Sequence, residues 1–146
     1  MLINPFDDPH AQWLVGKYST TDEIQALTKE TCETCGIMDI YPDIEWKFEK
    51  RFKTTLGEAS YWADSEGKNY WLIKYSSLMW LPLGDTGRKN TVVHEVCHLA
   101  VERLYGHCSR PKKGQERVLD HGKHWQDLMK KCGEDPFLKV CHGNEI

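Results

Sequence analysis

No run of apolar residues in this chain approaches the roughly 18 needed to cross a membrane, so no membrane span is expected. The first nine residues, Met1 to Pro9, contain neither a basic n-region nor an apolar h-region, and they do not read as a secretion signal. Charge of one sign is also missing. With 19 Lys and Arg against 22 Asp and Glu, the formal net charge is −3, which gives no global electrostatic case for nucleic-acid binding. There is no internal repeat, no low-complexity segment and no linker-like break, so one domain is expected: an irregular segment over 1–19, the domain over 20–142 and a short tail over 143–146. The six cysteines, without a secretion signal, are expected to be reduced thiols in an intracellular, cytoplasmic protein.

What the chain does have is 146 residues, 40% of them hydrophobic, enough to bury a sizeable core. Thr20 to Glu23 offers an N-cap with a capping-box Glu, and Gly36 offers a helix stop. Between them Ile24, Leu27, Thr31 and Cys35 share one face, which predicts a helix from about Thr21 to Cys35. Ile44-Glu45-Trp46-Lys47-Phe48 alternates as a half-buried strand should. Gly57–Ala63 reads as a second strand, 65–69 as a turn and Tyr70–Tyr75 as a third strand. Ser76-Ser77 caps a short turn leading to Leu81, Gly84–Gly87 reads as a loop, and a long helix is expected from about Arg88 to Tyr105, closed by Gly106. Residues 107–120 read as a surface loop, and Trp125, Leu128 and Met129 mark a last helix from about Gly122 to Cys132. The expected class is α+β: a helix, a small antiparallel three-stranded sheet, then two helices.

The long helix carries His94-Glu95-Val96-Cys97-His98, an HExxH sequence. Residues four apart on a helix lie one above the other, about 6 Å apart along the axis. Two imidazoles so placed can each bring a nitrogen to about 2.0–2.1 Å from one Zn2+. Glu95 then lies beside the metal without having to bind it, where it can act as general base on zinc-bound water. Val92, Val93, Val96, Leu99 and Ala100 surround the pentad. Three ionisable groups in so apolar a helix cost free energy unless they are paired or bind metal. The residues therefore point to a zinc hydrolase, and in the first instance to a peptidase acting on protein or peptide.

A catalytic zinc needs a third protein ligand and leaves its fourth position open. Glu102 is too far along the same helix, about 12 Å from His94. A metzincin-type extension would place Gly at 101 and His at 104, where the chain has Val101 and Leu104. His107 and Glu116 compete from the loop. The stronger candidates lie in Asp120-His121-Gly122-Lys123-His124-Trp125. Gly122 permits close approach of the backbone there. His121 and His124 lie one turn apart, and their spacing leaves both open.

Four segments in order resemble the SprT-like metallopeptidase family, which contains the bacterial SprT proteins and the Spartan proteases that act on DNA–protein crosslinks. They are Trp46…Arg51…Thr55-Leu56-Gly57; Ile73-Lys74-Tyr75-Ser76-Ser77-Leu78; His94-Glu95-Val96-Cys97-His98-Leu99; and His121-Gly122-Lys123-His124-Trp125. The resemblance implies a zincin-like fold, His94, His98 and His121 as zinc ligands, and Glu95 as the catalytic base, in an HExxH…H site. His124 falls on a variable position and is a neighbour. Two departures stand out. The loop between His98 and His121 is longer than the family's, which keeps Glu116 and His107 as competitors. The zinc ribbon or DNA-binding extension of several relatives is not seen, so DNA as a partner rests on the resemblance and on the basic run Arg110-Pro111-Lys112-Lys113 with Arg117.

Cys32-x-x-Cys35 resembles half a zinc site or a redox pair, but no second C-x-x-C exists among Cys108, Cys132, Cys141 and His142. It is read as a pair of ordinary thiols, Cys97 as a core residue, and Cys141-His142 as tucking the tail against the sheet. Oxyanion stabilisation could come from Tyr75, Tyr105 or a loop residue. The rival to the enzyme is a non-catalytic zinc-stabilised binding domain that contacts DNA or a DNA-bound protein. An intact Glu95 argues against it, since a structural site does not need that residue.

Overall fold

A computed structural model describes residues 16–138 and the backbone of 144 and 145. Cys141 and His142 lie outside the described residues, as does most of the irregular N-terminal segment. The first helix, α1, spans Thr21–Cys35. Both ends are local chemistry. The Thr20 hydroxyl accepts the Glu23 N–H at 3.3 Å and donates to its carboxylate at 3.1 Å. Gly36 ends the helix in the left-handed region at φ 76°, and Ile37 N–H reaches back to Cys32 O at 2.9 Å.

Three strands follow: β1 over Ile44–Glu49, β2 over Thr55–Ala63 and β3 over Asn69–Ser76. β2 and β3 form an antiparallel hairpin in which Asp64 accepts the Glu66 and Lys68 N–H groups, each at 2.9 Å. The expected all-antiparallel sheet is not what forms. β3 inserts between the other two and pairs in parallel with β1, Trp46 opposite Ile73 and Phe48 opposite Tyr75, and a two-residue β4 (Asn144–Glu145) borders β2. The sheet is mixed, in the order β1-β3-β2-β4. The physical reason is burial. β3 is the most apolar strand, with Trp71, Ile73 and Tyr75 all in the core, and the centre of the sheet is where both of its edges are hydrogen-bonded.

A one-turn helix, α2 (Ser77–Trp80), is capped by Ser76, which accepts Met79 N–H at 3.1 Å. The long helix, α3, spans Gly84–Leu104 and starts a turn earlier than Arg88. Arg88 is the cause. It is fully buried and anchors that first turn, pairing with Asp85 at 2.7 Å and donating to Lys17 O at 2.8 Å and Leu81 O at 3.0 Å. The last helix, α4, spans Lys123–Lys131 and buries Trp125, Leu128 and Met129. Between α3 and α4 the chain is pinched by an antiparallel bridge, Cys108 to Val118, with Val118 buried beneath it. The tip of that loop, 109–117, is exposed, as its basic residues require.

α3 is the axis of the molecule, with α1 and α4 against it on one side and β2 and β3 on another. Val92, Val93, Val96, Leu99 and Ala100 are buried within that sandwich, which holds the HExxH turn rigidly. Among the described residues no helix is long and apolar enough to cross a membrane.

Candidate metal centre

His94 and His98, one turn apart on α3, project to the same side, and His121 enters from the residue pair that opens α4. Their Nε2 atoms converge: His94 to His98 is 3.1 Å, His98 to His121 is 3.1 Å and His121 to His94 is 3.3 Å. Tetrahedral ligands about 2.05 Å from one ion stand about 3.3 Å apart, so the triangle has the size a zinc ion requires. An all-imidazole set suits zinc and its transition-metal neighbours and not magnesium or calcium, which take oxygen. Burial is graded across the cluster, from His94 at 2% exposure through a half-buried His98 to an exposed His121, so the cluster opens to solvent on one side.

Trp125 builds the floor. Its indole N–H donates to the His94 carbonyl at 3.2 Å, and its ring stacks on His98 with centroids 5.5 Å apart and planes 19° apart. Edge contacts at 4.7 Å to the His94 and His121 rings complete a wall that leaves the imidazoles little rotational freedom. α4 therefore does two things at once. It supplies His121 at its entrance and locks the other two rings through Trp125.

Glu95 is fully buried and leans from α3 onto β2. There it meets the backbone of Gly57: a Cβ at that position would stand 2.7 Å from Glu95 Oε2. Only glycine leaves room for the carboxylate. From β3 the fully buried Tyr75 adds a hydroxyl that has no hydrogen-bond partner among the described residues. Desolvation, and then the nearby charge of Glu95, push its pKa well above the usual value, so Tyr75 stays a neutral phenol.

The competing ligands are engaged elsewhere. His124 pairs with Glu116 at 2.7 Å and stacks on Tyr105 with centroids 4.0 Å apart. His107 Nε2 lies 3.2 Å from Asp120. Glu102 accepts the His107 N–H at 3.1 Å. Of the oxyanion candidates, Tyr75 is buried on the Glu95 side of the site, and Tyr105 stacks on His124. Beside His98 a cleft of about 260 Å³ runs between β2 and α3, lined by Ala59, Ser60 and Tyr61 from the strand and Glu102, His107 and Asp120 opposite.

Over residues 24–142 the sequence matches the SprT-like family. The chain belongs to the SprT-like family. Comparisons with curated proteins and with solved structures return no match. The SprT-like assignment and the converging imidazoles are both consistent with a domain able to hold a metal ion. Two features of this SprT-like site escaped the sequence reading. Gly57 could have been found, since a lone glycine inside a strand signals close approach of another group. Trp125 marks the apolar face of the last helix in the sequence, and its hydrogen bond to the His94 carbonyl has no local signature.

Proposed function

We propose that the protein is a zinc-dependent metallopeptidase of the zincin type, with His94, His98 and His121 holding the metal and Glu95 as general base. The observation that carries this reading is the convergence of three Nε2 atoms at 3.1–3.3 Å, with Glu95, the residue after His94 on α3, buried against Gly57. When bound there, zinc supplies Lewis acidity, polarising a carbonyl and making water a nucleophile at neutral pH.

The residues supply the rest. Glu95 accepts a proton from the water that attacks the scissile carbonyl carbon, and then delivers it to the amine nitrogen as the C–N bond breaks. Gly57 sets the carboxylate's position, and Trp125 sets that of the imidazoles. β2 offers hydrogen-bonding backbone on the edge away from β3, and among the described residues β4 borders only its Thr55–Gly57 end. A substrate in extended form fits along the remaining edge, above the cleft beside His98, using main-chain hydrogen bonds that select little sequence. The expected substrate is therefore an unfolded or locally extended protein segment.

The test is cleavage of an unfolded protein such as reduced casein by the zinc-loaded protein. Loss of cleavage with a chelator and its return with zinc support the reading. A fully zinc-loaded protein that leaves a range of unfolded substrates intact, and that binds DNA with steep salt dependence, would favour the non-catalytic binding domain instead.

A further inference from the structure

The C-x-x-C of α1 does not act as a pair. Cys35 instead meets Cys97 of α3 and Cys132, the residue that ends α4, and the three sulfurs lie within 4.8 Å of one another. Cys35 and Cys97 are buried, at 4% and 0% exposure, while Cys132 reaches partly to the surface. The Cys35 and Cys132 sulfurs are 3.7 Å apart. Thiolates sharing one tetrahedral zinc at about 2.3 Å stand about 3.8 Å from each other, and trigonal ligands stand about 4.0 Å apart. Cys97 has at most about 1 Å to close, which a small change in side-chain torsion provides.

We propose that Cys35, Cys97 and Cys132 form a second metal site, taking a soft thiophilic cation such as zinc or copper(I), and distinct from the three histidines. At 100° per residue Cys97 lies about 80° round α3 from the mean direction of His94 and His98, on the flank away from Glu95. Two helices and the C-cap of a third each contribute one sulfur, so a cation there ties the ends of α1 and α4 to the middle of the HExxH helix. Each thiol that becomes a ligand releases its proton to solvent as the cation binds. Soft sulfur donors select zinc or copper(I) over magnesium, calcium or manganese. The site needs no oxidant. A disulfide would use two of the three sulfurs and would have to draw them from 3.7 Å to about 2.05 Å.

The experiment is metal counting and cobalt spectroscopy on the full chain, purified under reductant and offered zinc, copper(I) or cobalt(II). The wild type is expected to hold about two metals per chain. The His94→Ala/His98→Ala variant should hold about one and keep a near-ultraviolet thiolate-to-cobalt charge-transfer band. The Cys35→Ser/Cys132→Ser variant should lose that band and keep the histidine-held ion. Should the serine variant fail to fold, the wild-type and histidine-variant spectra decide alone. Copper(I) retained in preference to zinc identifies the cation and sustains the site. One metal per chain with no thiolate band overturns the proposal, and so does a Cys35–Cys132 disulfide in metal-supplied, reductant-purified protein.

Discussion

The two flanks of α3 set similar materials in different surroundings. One flank presents Glu95 to the backbone of Gly57, and the histidines beside it open to solvent at His121. The other presents Cys97 to two more sulfurs, of the buried Cys35 and the half-buried Cys132. Catalytic metal sites keep one position open, and structural ones close around the ion. On that criterion the more open histidine cluster suits the proposed chemistry, and the more enclosed cysteine cluster suits the proposed role of holding α1, α3 and α4 together. α4 links them, since it begins beside His121, carries Trp125 and ends at Cys132.

The largest break in this comparison is Glu95→Gln. The amide is nearly isosteric and cannot accept the proton, so turnover should fall by about 10³-fold or more while metal content and melting temperature stay unchanged. Next is His121→Ala. Loss of partners beyond the ligands typically costs about 10–100-fold in metal affinity, and loss of a ligand itself should cost at least that, read by competition against a zinc chelator. Cobalt at the cysteines should remain in that variant. Gly57→Ala separates position from chemistry. A methyl group 2.7 Å from Oε2 must displace the carboxylate, and a displacement near 1 Å should lower kcat by about 10²-fold with zinc retained. The smallest effect is expected for Trp125→Phe, which keeps the ring but removes the donor to the His94 carbonyl. It should cost about 1 kcal/mol in thermal stability and about tenfold in zinc affinity. An unchanged zinc affinity there would mean that α4 does not orient the imidazoles.

Legibility in the sequence followed range. Thr20 and Gly36 mark α1 to the residue because a cap is chemistry between neighbours. The HExxH spacing is equally local, since one helical turn brings His94 and His98 together whatever surrounds them. Strand order is not local. Nothing in Ile44–Phe48 says that β3 will insert beside it, and the parallel pairing follows from the competition of whole strands for the centre of the sheet. The start of α3 was missed because Arg88 is anchored by carbonyls at Lys17 and Leu81, contacts that exist only in the fold. His121 and His124 could not be separated by spacing. They differ in partner, His124 being taken by Glu116 and Tyr105 while His121 reaches the other imidazoles. The three sulfurs come from positions 35, 97 and 132, too scattered for any motif to show.

The most direct test of the central claim plots turnover of an unfolded protein against zinc content, measured on the same samples, for the wild type and Glu95→Gln. The account predicts wild-type activity that rises in proportion to zinc at the histidines, and a flat line near zero for the variant at equal occupancy. Equal slopes for the two proteins would remove Glu95 from the chemistry and contradict the account.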